Sequence, residues 1–144
     1  METEYSKIVV AVDGSDDSDK AFHKAVAMAN RHDATLVLTH VVDTRTYATI
    51  AEYDKVIVNR AKEFGQEILD KYEQIAKDAN IEDLKILMKE GRPKSVITRE
   101  IAPEEDADLI IVGATGLNAV ERFLIGSVSE SIIRNAKCDV LVVK

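Results

Sequence analysis

The sequence predicts a single-domain α/β fold in which an open sheet of five parallel strands carries helices on both faces. Two observations lead there. Five short, mostly apolar runs alternate with longer stretches whose apolar residues recur every three or four positions, the pattern of βαβ units. One run, Leu84–Met88, instead carries Lys85 with Lys89 just beyond it and alternates in polarity, which marks a sheet edge. An edge position for the third strand suggests the order 3-2-1-4-5.

Taken in order, Ile8–Val12 reads as a strand covered on both faces. Asp13-Gly14-Ser15 makes a turn, and the helix after it places Phe22, Val26 and Ala29 on one stripe beside Ala21, Ala25 and Met28. Ser15 or Ser18 serves as its N-cap, and Asp16, Asp17 and Asp19 suit the positive end of the helix dipole. Thr35–Val42 is the second strand. After a loop over 44–49, Ile50, Tyr53, Ile57, Ala61, Phe64, Ile68, Tyr72, Ile75 and Ala79 define an amphipathic helix that stops near Asn80. Gly65 inside it costs about 1 kcal/mol relative to alanine. Gly91-Arg92-Pro93 opens a helix with Val96, Ile97 and Ile101 inward, ended by Pro103. Leu109–Val112 is the fourth strand. Ser129–Asn135 is a short last helix with Val128, Ile132 and Ile133 inward, and Val140–Val143 is a final strand.

At 144 residues the chain makes one domain, 1–144, with room for a proper core. Only 5% of residues are aromatic against 46% hydrophobic, so the core is expected to be aliphatic. A net charge of −7 argues against a nucleic-acid or anionic-membrane surface, whose footprint is basic. No apolar run approaches the roughly 18 residues of a membrane span, and the acidic start predicts no signal peptide. With Cys138 as the single cysteine, an internal disulfide is impossible, which fits a reducing compartment. The expected location is cytoplasmic.

The informative stretch comes after the fourth strand. Gly113 and Gly116 are succeeded by nine residues and then by Gly126-Ser127, where a helix opens. Glycines delivered to a helix N-terminus leave backbone N–H groups unobstructed for an anion. No lysine lies between Gly113 and Ser127, and the glycine order matches neither the P-loop nor the dinucleotide fingerprint. Such a loop holds phosphate through main-chain donors, the helix dipole and hydroxyls. The first strand-to-helix turn is the poorer anion site, because its three carboxylates repel phosphate.

Gly113-x-x-Gly116, nine residues and Gly126-Ser127 together resemble the G-2x-G-9x-G-[ST] signature of the ATP-binding branch of the universal stress protein family. The resemblance runs from Lys7-Ile-Val-Val-Ala-Val-Asp-Gly-Ser to Val140-Leu-Val-Val. It implies a Rossmann-like nucleotide-binding sheet with the same order, 3-2-1-4-5, whose reversal falls between strands one and four. Ligands bind at such reversals, beyond the carboxyl ends of the strands. Asp13 and Gly113 therefore converge on one crevice.

Gly113, Gly116, Gly126, Ser127, Val128 and Ser129 are expected on the phosphate side, with the Ser127 and Ser129 hydroxyls adding donors. Asp13, an acceptor, suits ribose hydroxyls. The resemblance further implies that main-chain groups around Val41 read the adenine edge and that Ala11 and Val112 flank it. Mg²⁺ would be held through the phosphates rather than by a protein cage.

Simpler roles compete for several of these residues. Asp13-Gly14-Ser15 also fits a plain turn, and Ser127 and Ser129 also fit helix caps. Arg122 could touch a phosphate but reads first as solvated or paired with Glu121 or a partner subunit, and His40 could approach the nucleoside but reads first as packed and hydrogen-bonded; His23 and His32 read as surface, and Cys138 as a buried inert thiol.

The leading expectation is an ATP-binding stress-response or signalling switch. The alternatives are a slow ATPase or phosphotransferase and a non-nucleotide dimeric interaction protein. The stretch offers neither lysine nor base, so at most slow hydrolysis is expected. The apolar terminal strand invites pairing with a second copy, and the resemblance also implies a homodimer through 140–143.

Overall fold

The computed structural model describes residues 4–44, 55–116 and 125–144. Its strands are β1 (Lys7–Ala11), β2 (Thr35–Asp43), β3 (Leu84–Gly91), β4 (Leu109–Gly113) and β5 (Asp139–Val143). They form one parallel sheet in the order β3-β2-β1-β4-β5, as expected. The crossovers are helical: α1 (Asp16–His32), α2 (Lys55–Asp78), α3 (Pro93–Val96) leading through Ile97–Ile101 into α4 (Ala102–Glu104), and α5 (Ser127–Asn135).

Side chains alternate across each strand, so two cores form. Ile8, Val10, Leu36, Leu38, Leu109 and Ile111 pack under α1 and α2 with Phe22, Leu69 and Tyr72. Val9, Val37, Val41, Ile110 and Val112 pack on the other face with Ile97, Ile101 and Ile132. Burial on both faces is why these strands read as unbroken apolar runs. The two large aromatics of the first core meet with ring centroids 4.4 Å apart. The hydroxyl of Tyr72 donates to Asp19 Oδ1 at 2.7 Å. Burial and that carboxylate push the phenol's pKa well up.

Two close contacts explain residues that propensity disfavours. A Cβ on Gly65 would lie 2.6 Å from the ring of His40 and 3.1 Å from the sulfur of Met88, so glycine lets α2 settle onto β2. His40 is buried as a packed residue, its Nδ1 2.7 Å from the carbonyl of Val12. At the opposite end of the strands, Glu105 joins three elements. It pairs with Lys85 of β3 at 2.7 Å and Lys7 of β1 at 3.6 Å, and the Lys85 hydrogen bond holds its carboxyl below the usual range.

Several sequence expectations are corrected. Pro103 does not end its helix but lies inside it. The chain makes a wider, π-type turn over Ile97–Ile101, with the Ala102 amide reaching Ile97, and this accommodates proline's missing donor and ring. The last helix begins at Ser127 rather than Ser129. Ile133, expected inward, is 49% exposed, and Phe64 is 47% exposed at the border of its stripe. Each is one step off its stripe: Ile132 faces the core on α5, and Gly65, Ile68 and Leu69 do so on α2. Cys138 is only partly buried; burial first, then Asp139 and Asp108, pushes its thiol pKa up and keeps it protonated. Ile50, Tyr53, the loop over 45–49, Glu121 and Arg122 lie outside the described residues. No described helix is long and apolar enough to cross a membrane.

Candidate functional site

The sheet order reverses between β1 and β4, and the turns that leave these two strands build the candidate site. Past Ala11, the Val12 amide donates to the Thr39 carbonyl of β2 at 2.9 Å, and His40 holds the Val12 carbonyl. The next residues turn sharply. Gly14 sits at φ 88°, a conformation that favours glycine. Asp13 is fixed from both ends: its amide donates to Ser18 Oγ at 3.2 Å, and its Oδ1 accepts from the Ser15 amide at 2.9 Å. Ser15 is the N-cap of α1, its hydroxyl oxygen accepting from the Ser18 amide at 3.2 Å. This helix end is therefore closed by its own side chain.

β4 runs into the same place. A Cβ on Gly113 would lie 2.6 Å from the carbonyl carbon of Asp17 and 2.8 Å from the Ser18 amide nitrogen. Here glycine admits the backbone of α1. Thr115 then donates through both its amide, at 3.2 Å, and its hydroxyl, at 2.7 Å, to the same oxygen of Asp17. Gly116 faces Asp13: a Cβ there would meet Asp13 Oδ2 at 3.0 Å.

The chain returns at Gly126, whose amide donates to the Ala114 carbonyl at 2.6 Å. Gly126 is the N-cap of α5, with extended backbone and no side-chain cap. The first intrahelical bond runs from the Glu130 amide to the Gly126 carbonyl at 3.0 Å. The amides of Ser127, Val128 and Ser129 precede it, at the positive end of the dipole. The two helix starts differ: that of α1 is capped and carries Asp16, Asp17 and Asp19, whereas that of α5 has no side-chain cap, carries Glu130 in its first turn and lies beside a glycine turn.

The remaining candidates separate by role. Ser127 is exposed, whereas Val128 packs against the second core. Ser129 is buried and donates its proton to the Gly113 carbonyl, so its hydroxyl serves the joint between β4 and α5. Ala11 and Val112 belong to the second core. Val41 has a buried side chain, and the direction of its main chain follows from the strand. Peptide groups of alternate strand residues point to the same side. Thr39 directs its carbonyl to the β1 side, so Val41 does too, one step past the last bond to β1. Thr39 also carries the one buried side-chain polar atom, Oγ1, without a hydrogen-bond partner among the described residues.

Sequence reasoning did not single out Thr115, and it treated Asp17 and Ser18 only as parts of a helix start. Nothing in their spacing announces a tie between segments 98 positions apart. No group of three or more metal-binding side chains occurs among the described residues.

Comparison with known proteins agrees with this fold. The family model described as "Universal stress protein family" matches residues 4–144. A Staphylococcus aureus (strain USA300) protein carrying a universal stress protein name is 47% identical over 140 residues, covering 97% of this chain and 84% of the relative. Among solved structures, the universal stress protein UspA from Lactobacillus plantarum superposes with a TM-score of 0.89 at 32% identity, covering 99% of this chain and 100% of that one. A universal stress protein in complex with cAMP matches with a TM-score of 0.76 at 29% identity, covering 99% of both chains. This chain belongs to the universal stress protein family.

Proposed function

We propose that this universal stress protein binds ATP in the crevice between β1 and β4 and works as a nucleotide-dependent stress-response or signalling switch. The observation that carries the reading is the return of Gly126 onto Ala114. That bond sets an α5 start without a side-chain cap next to the turn whose Gly116 faces Asp13. The amides of Ser127, Val128 and Ser129 and the Ser127 hydroxyl would take the phosphates. Asp13 would accept from ribose hydroxyls, and the main chain of Val41 would meet the base between Ala11 and Val112. Mg²⁺ would be carried on the phosphates, which suits a site without a carboxylate cage among the described residues. The cAMP bound by a related structure supports an adenine nucleotide as the ligand class. Nucleotide released from freshly purified, denatured protein tests the reading: one adenine nucleotide per chain is expected, and none, together with no heat on titrating ATP and Mg²⁺, rejects it.

The second half of the proposal is a homodimer through β5. Its outer edge has no strand partner in the sheet among the described residues. Two-fold pairing of these edges is a closed way to satisfy them.

A further inference from the structure

We propose that Asp17 is a positioning residue for nucleotide: through Thr115 it sets the distance between the Asp13 turn and the phosphate-facing start of α5. The inference rests on the nucleotide reading above and assigns the part of the fold that holds its two halves in register. Both halves hang from the first turn of α1. Ser18 Oγ accepts from the Asp13 amide, and Asp17 Oδ2 accepts from the Thr115 amide and hydroxyl. Thr115 adjoins Ala114, whose carbonyl receives the Gly126 amide, so the tie continues into α5. Gly113 lies directly on the Asp17 and Ser18 backbone, leaving no slack between β4 and this turn. Asp17 is otherwise engaged only by Lys20, at 3.8 Å from its other oxygen, among the described residues.

Charge and geometry make opposite forecasts for this residue. As a mere charge near a triphosphate, Asp17 opposes binding, and removing it should tighten ATP. As a positioning group it favours binding, and removing its acceptor should loosen ATP. Calorimetric titration with ATP and Mg²⁺, and separately with adenosine, decides between them. Asp17→Ala and Thr115→Ala should each weaken ATP roughly three- to tenfold, the range for a lost side-chain hydrogen bond. Adenosine, which lacks the phosphates, should lose less. Asp17→Asn keeps an acceptor and Thr115→Ser keeps the hydroxyl, so both should stay within about twofold of the parent or, for Asn, bind tighter. The double alanine variant should be no weaker than the worse single one, because both delete the same tie. Circular dichroism checks each fold, and if Asp17→Ala does not fold, the Thr115 pair carries the test. ATP binding by Asp17→Ala or Thr115→Ala at parental strength or tighter overturns the proposal, as do additive losses. If the parent itself gives no heat, the nucleotide reading fails and this one with it; if the parent binds and the variants match it, only the positioning role fails.

Discussion

The hydroxyl of Ser129, on the first turn of α5, donates to the carbonyl of Gly113, the last residue of β4. This bond closes the joint at which the glycine stretch begins and ends. Ser129→Ala would leave a buried carbonyl without its partner and should cost about 1–3 kcal/mol of stability, read by urea unfolding. Since the hydroxyl proton points inward, ATP affinity of the folded fraction should change by less than about threefold.

Gly126 is the return point of the same joint. A Cβ there would lie 3.3 Å from the Ala114 carbonyl oxygen and 3.4 Å from Thr115 Cα, so a branched side chain has no room without moving α5. Gly126→Val should lower ATP affinity at least about tenfold with the circular dichroism spectrum kept, since misplacing preorganised donors removes their benefit. Unchanged calorimetry would count against main-chain phosphate binding.

Gly65→Ala sets two effects against each other. Helix propensity favours alanine by about 1 kcal/mol. Against it, the new methyl would lie 2.6 Å from the ring of His40, which is itself bonded to Val12 at 2.7 Å and does not swing away freely. Overpacking of about 1–3 kcal/mol should win, so the variant is less stable by thermal unfolding.

Glu105 makes stability depend on pH. Its folded-state pKa is lowered, first by the Lys85 hydrogen bond, below the ordinary value of about 4.3. Its contribution is therefore present above the unfolded pKa and lost as pH falls through the folded one. Glu105→Gln should be less stable than the parent at neutral pH. The gap between them should close on acidification from about pH 4.3 downward, when unfolding curves are compared.

The β5 edge gives a test of pairing that spares the monomer. The Ala114 amide meets the Val143 carbonyl, so Val143 and Leu141 turn their peptide groups toward β4, and Val142 turns its own outward. Val142→Pro removes only an outward donor and should yield a folded monomer by sedimentation, whereas Leu141→Pro should destabilise the fold. A parent protein that is already monomeric at micromolar concentration rejects the dimer.

Much of this molecule was legible in its sequence because local rules and tertiary structure agreed. Apolar runs such as Ile8–Val12 and Leu109–Val112 are strands because burial on both faces demands such runs, and Lys85 and Lys89 did mark an edge. Periodicity misjudged Phe64 and Ile133, which lie at the borders of their stripes, where a small rotation of the helix decides exposure. Proline was misread at Pro103 because a π-type turn absorbs it.

The sequence by itself determined the element types, their order along the chain and the glycines that open α5, since each depends on the side chains of neighbouring residues, while the order in the sheet was suggested by the polar third strand and the family resemblance. Only the tertiary structure decided that Asp17 grips Thr115, that Ser129 turns inward and that His40 rests against Gly65. Those contacts join residues far apart in the chain, and their partners are chosen by how β1, β4 and the helices pack, which no local spacing encodes.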